Sequence, residues 1–123
     1  MEHGASFGGY KKLKVWDRAI TLVTEIYSVT KNYPQDEKFG LVSQMRRAAV
    51  SIPSNIAEGQ CRATKKDFLN FLRIAYASCA ELETQLIISQ RLEYVDVSEY
   101  EQLHEVLEEV SKMLAGLMKS MRV

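Results

Sequence analysis

Apolar positions recur along this chain at steps of three and four residues in four separate runs, the periodicity of amphipathic helices. The first run is Val15, Trp16, Ala19, Ile20, Val23, Ile26, Tyr27 and Thr30, with Leu22 and Val29 widening the stripe. It predicts a helix from about Lys14 to Asn32. Tyr33-Pro34 closes it, because the residue before a proline is pushed out of the α region. The stripe covers about half the circumference, more than the roughly 100° that a single core face needs. Part of that excess is expected to meet another subunit, through Leu22, Ile26, Tyr27 and Val29.

The second run places Leu41, Met45, Ala48, Ala49, Ile52 and Ile56 on one face. Gln44, Ser51, Asn55, Glu58 and Arg62 make a narrow polar strip along its edge, so this helix is expected to have partners on two sides. Asp36 is its expected cap, with the first turn near Glu37 and the last at Gly59. Pro53 inside the run deletes a hydrogen bond and crowds the carbonyl four residues back. A break into two helices is one outcome. The stripe stays in phase from Ile52 to Ile56, which favours a continuous helix kinked at Pro53, with Ser51 or Ser54 taking the freed carbonyl.

Thr64 and Asp67 have capping-box spacing and open the third run, Phe68, Leu72, Ala75, Cys79, Leu82 and Leu86. Glu83 falls inside that apolar arc. An unpaired buried carboxylate is expensive, so Arg46 or Arg47 is its expected partner. Two capping boxes compete before the fourth helix, Asp96 with Glu99 and Ser98 with Glu101, and Ser98 is slightly favoured. Tyr100, Leu103, Leu107, Val110, Leu114, Leu117 and Met121 then form a heptad seam suited to small crossing angles. Four helices with short connections predict an all-α, antiparallel up-down-up-down four-helix bundle over residues 10–123. Met1 to Gly9 holds three of the six glycines and no periodicity, and is read as a disordered leader.

Composition changes this picture little. A chain of 123 residues, 46% hydrophobic and 26% charged, suits one ordinary globular domain. No run is apolar enough to span a bilayer or to serve as a signal peptide, so a cytoplasmic location is expected, with Cys61 and Cys79 both reduced. The net charge of zero hides an asymmetry. Residues 1–66 carry 11 Lys and Arg against 6 Asp and Glu, and residues 67–123 carry 5 against 10. Complementary packing of antiparallel helices and a basic patch for a polyanion are both open readings.

Candidate chemistry is sparse. Glu101 and His104 have the Glu-x-x-His spacing of di-metal bundles, but no second copy exists and both flank the seam, so neither a metal nor another cofactor is expected. A cysteine nucleophile needs a base, and nothing local ties His104 to either thiol. Ser51, Asn55, Glu58 and Glu83 read as structural polar ties, and no small-molecule substrate suggests itself. The basic residues are the strongest signal: Lys11, Lys12 and Lys14 before the first helix, Arg62, Lys65 and Lys66 around the start of the third, and Arg46 and Arg47 in the second. Such clusters suit contacts with a nucleic-acid backbone without sequence readout.

Several stretches carry a resemblance: LKVWDRA at Leu13–Ala19, Tyr33-Pro34, QMRRAAVSIPSNIAEG at Gln44–Gly59, and ELETQL at Glu81–Leu86. Together they resemble the four-helix-bundle family of proteins encoded in intervening sequences of bacterial 23S ribosomal RNA. The likeness runs from about Tyr10 to Val95, with the fourth helix similar in pattern only. The resemblance implies a cytosolic homopentamer, no enzymatic activity and an RNA-related role. This chain departs from the family pattern at Gln60-Cys61 and at Tyr76-Ala77, the latter standing where Arg-Gly is usual.

Overall fold

The computed structural model describes residues 7–121, and the described chain is helical with no strand. Most of the expected leader, His3 included, therefore lies outside the described residues. A 3-10 turn at Gly9–Lys12 precedes helix α1 (Lys14–Thr30), and a second at Gln35–Glu37 precedes α2 (Leu41–Gln60). Helices α3 (Lys65–Arg91) and α4 (Val97–Ser120) complete the bundle.

Side-chain pairs fix the helix directions. Arg46, early in α2, reaches Thr30 at the end of α1. Between α2 and α3, Met45 meets Ser89 and Ser51 meets Ser78, so residue numbers rise on one helix as they fall on the other. His104 of α4 meets Glu83 of α3, and Glu109 of α4 reaches back to Arg18 of α1. Each helix packs on the next and α4 closes on α1, giving the antiparallel up-down-up-down bundle.

The apolar stripes form one core, with Ala19, Ile26, Met45, Ile52, Leu72, Leu82, Val110 and Leu114 almost free of solvent. Leu22 and Ile26 belong to it at 1% and 0% exposure, against the expectation that they face another subunit. A helix at the corner of a four-helix bundle touches two neighbours, so the protomer itself fills an arc wider than one core face. Of the four residues expected at an oligomer surface, only Tyr27 is exposed, and Val29 is half-buried. On α4, Val106 and Met118 join the seam, while Tyr100, Leu117 and Met121 are only half-buried.

Helix α2 is one unbroken element with Pro53 inside it and buried. Its start differs from the expectation at Asp36. The 3-10 turn delays the helix to Leu41, whose amide donates to Glu37 Oε1 at 3.2 Å. The other carboxylate oxygen of Glu37 accepts from the Tyr94 hydroxyl at 2.9 Å, tying this helix start to the α3–α4 connection.

Helix α2 ends at Gln60, one residue past the expected end at Gly59, but that glycine is not its cap. It is buried in the last turn of α2, and a Cβ there would sit 2.6 Å from Phe71 Cβ and 3.0 Å from Phe68 Cδ1. A glycine is needed because α3 comes that close. At the start of α4 the capping box is Asp96 with Glu99, complete in both directions at 2.7 and 3.1 Å, and not the slightly favoured Ser98.

Candidate nucleic-acid interface

Two of the basic clusters meet at one end of the bundle. The antiparallel topology places the N-termini of α1 and α3 beside the C-termini of α2 and α4. The 3-10 turn carrying Lys11 and Lys12 folds back on this end, with Tyr10 set edge-on to Trp16 at a ring separation of 5.3 Å. Its Gly9 approaches the Gln60 side chain so closely that a Cβ would meet it at 3.0 Å. Lys11, Lys12 and Lys14 therefore share an end with Arg62, Lys65 and Lys66.

The lysines there are exposed and form no ion pair among the described residues. Arg62 is partly committed: its Nη2 pairs with Glu58 Oε2 at 3.0 Å and its guanidinium lies 4.7 Å from the Phe71 ring centre. Thr64 caps α3 by accepting from the Asp67 amide at 3.1 Å, which leaves Lys65 and Lys66 in the first turn. A helix start is the positive end of its dipole, so cations are disfavoured there. Two helix C-termini at the same end offset the two N-termini, and the lysine side chains set the local field.

The other two basic residues do not join them. Arg46 sits towards the opposite end, donating to Thr30 Oγ1 at 3.0 Å and to the Tyr27 carbonyl at 3.4 Å, with its guanidinium over the Tyr27 ring at 4.4 Å. It closes the C-terminal end of α1. Arg47, one step along the same helix, points outward and is exposed.

The polar ties are redistributed as well. Glu83 is exposed and pairs with His104 at 2.8 Å, not with Arg46 or Arg47. Its position on α3 lies at the margin facing α4, whereas both arginines belong to the α1–α2 side. His104 is half-buried and stacks on Tyr100 at 5.6 Å. Ser51 hydrogen-bonds Ser78 across the α2–α3 contact at 2.9 Å and accepts from Asn55 Nδ2 at 2.9 Å. Its hydroxyl is thus committed to α3 and to Asn55, and not to the carbonyl freed by Pro53.

Both cysteines are free, Cys61 exposed and Cys79 buried. Burial, with Glu83 nearby, pushes the Cys79 thiol up to about 12, so it stays protonated and poorly nucleophilic at neutral pH. Among the described residues no three His, Cys, Asp or Glu side chains gather as a metal ion requires, and no helix is long and apolar enough to cross a membrane.

A second feature was anticipated only in part, by the wide apolar stripe of the first helix and by Tyr27. Outside the α1–α2 contact, Trp16, Ile20, Val23 and Tyr27 line a shallow groove with Val42, Val50, Pro53 and Phe39. Ile20, Tyr27, Val50 and Phe39 are 36, 39, 38 and 89% exposed. The signal was present at Val50 and Phe39, which fall outside every apolar stripe.

The fold and its lysine-rich end define a small helical-bundle protein with a candidate polyanion-binding face. The chain belongs to the 23S rRNA-intervening sequence protein family, whose model matches residues 11–116. It is also similar to a protein of unknown function from the S23 ribosomal protein family of Bacteroides thetaiotaomicron VPI-5482, known from a crystal structure. The two are 27% identical, with a TM-score of 0.79 over 85% of this chain and 95% of the other. No curated protein matches the sequence.

Proposed function

We propose that this protein is a non-enzymatic, self-associating cytoplasmic scaffold that binds the phosphate backbone of structured RNA with its lysine-rich end. One observation carries the RNA reading: Lys11, Lys12, Lys14, Lys65 and Lys66 come from two distant parts of the chain, converge on one end, and have no carboxylate partner among the described residues. Two of them, Lys65 and Lys66, occupy the first turn of α3, where their side chains add to the positive field of this end. Backbone contact without base readout suits flexible ammonium groups, and the family's name associates its members with ribosomal RNA.

The test is a salt titration of binding to a structured RNA. Log affinity should fall linearly with log salt, and Lys65→Gln with Lys66→Gln should reduce the slope by about 2. Arg46→Gln should leave the slope unchanged, since that guanidinium is occupied within the bundle. A flat titration removes the RNA reading. It would leave the second one, a homo-oligomeric protein-interaction module with no nucleic-acid role, which the open α1–α2 groove favours. A homopentamer is the assembly that the family resemblance suggests for either.

A further inference from the structure

The bundle carries a second exposed apolar feature, on a different side from the groove. Ile74 and Ile88 on α3, and Leu92 at its C-cap, stand out at 48, 42 and 50% exposure. Their spacing puts them on one side of the helix, with Glu81 between them. Neither feature is covered by the described residues. The ridge from Ile74 to Ile88 is about 21 Å long, and the groove wall from Trp16 to Tyr27 about 16 Å before the Phe39 ring extends it.

The charges on the two features are opposite. The groove is rimmed by Lys38 and Arg47, neither of which forms an ion pair among the described residues. The ridge holds Glu81, which accepts a long 3.4 Å hydrogen bond from Gln85 Nε2 and meets no cation among the described residues. An apolar cleft rimmed by Arg47 and by Lys38, whose ammonium lies 5.5 Å from the Phe39 ring centre, and an apolar ridge with a carboxylate are of comparable length and opposite in charge.

We propose that the occupant of the α1–α2 groove is the α3 ridge of a second copy of this chain, with Arg47 of one protomer meeting Glu81 of the next. This rests on the self-association reading above and deepens it. The contact is heterologous, since groove meets ridge and not groove meets groove. Each protomer then keeps one free groove or ridge, so assembly proceeds to a closed ring or a filament and does not stop at two copies. The lysine-rich ends would recur once per protomer, giving an RNA repeated contacts.

Directed crosslinking tests the pairing. In a Cys61→Ser background, Val50→Cys and Ile88→Cys are made in separate proteins, which are then mixed and oxidised. Both sites are exposed, so the fold should survive, and helical circular dichroism checks it. The mixture should form a Val50–Ile88 disulfide between chains, mapped by peptide mass, and neither protein alone should crosslink efficiently. Crosslinking of the Val50→Cys protein alone would indicate a two-fold groove-to-groove contact and overturn the proposal. Native light scattering separates this from failure of the underlying reading: a monomeric parent protein defeats self-association itself, whereas an oligomer without the mixed crosslink defeats only the groove-and-ridge assignment. As a charge test, Arg47→Glu and Glu81→Arg should each weaken assembly at least roughly tenfold, and the double exchange should restore most of it. No recovery in the double variant would count against the pair.

Discussion

Helix α2 presents two flanks to its neighbours, and they are built differently. Towards α3 it offers Gly59, Ser51 and Asn55 beside Ala48, and the contact is closed: a backbone approach too tight for a Cβ at one end, a Ser51–Ser78 bond in the middle, Met45 against Ser89 at the other. Towards α1 it offers Arg46, Val50, Pro53 and Ala57, and the outer edge stays open and apolar. Small and polar residues finish a contact because they bring helices close and satisfy each other. Larger apolar residues left at the rim still have surface to bury. The first flank is closed by its neighbour, and the second keeps an exposed apolar edge.

The largest effect should come from crowding the closed flank. A methyl group at position 59 would lie 2.6 Å from Phe71 Cβ, an atom fixed to the backbone of α3. Gly59→Ala gains about 1 kcal/mol of helix propensity. Forcing the helices apart costs about 1–3 kcal/mol, and the atom it meets cannot swing away. The loss therefore wins, and Gly59→Val should cost more still. Urea unfolding should show a lower midpoint at unchanged slope. If Gly59→Ala is as stable as its parent, the closed flank is looser than described.

A smaller effect belongs to the Ser51–Ser78 bond, which is part-buried at 2.9 Å. Ser78 is 7% exposed, and truncating Ser51 alone strands its hydroxyl, while truncating both removes the two groups together. Ser51→Ala and Ser78→Ala should each cost about 1–2 kcal/mol, and the double variant less than their sum, because an unpaired buried group is more costly than an absent pair. Strict additivity would mean that the bond contributes nothing to holding α2 against α3.

The helices were legible in the sequence because periodicity is a local property. Each apolar stripe reports its own face, and Thr64 with Asp67 marks a helix start wherever the helix later docks. What stayed hidden depends on which helix stands opposite. Gly59 near a helix end reads as a stop, and only the position of α3 shows that it is a contact. Glu83 sits at the edge of an apolar arc, and the wheel does not say whether α4 or α2 faces that edge. Leu22 and Ile26 looked surplus because one helix was weighed alone, without two neighbours to fill a wider arc. Arg46 and Arg47 are adjacent in the chain but about 100° apart around the helix, so one is enclosed and the other free. The lysine-rich end was half legible: both clusters are visible in the sequence, but their meeting follows from α1 and α3 starting at the same end.

The smallest effect should be found on the open flank, and it tests the contrast most directly. Val50 is 38% exposed in the protomer, so Val50→Ser removes little buried surface from the fold itself. In dilute protein, where protomers are separate, stability should change by no more than about 0.5 kcal/mol. At higher concentration the proposed association should stabilise the parent more than the variant, so their melting temperatures should diverge as protein is added. Gly59→Ala should behave the opposite way, with a deficit already present at the lowest concentration. A Val50→Ser deficit that is large and independent of concentration would make the α1–α2 groove part of the closed core, and the difference between the two flanks of α2 would disappear.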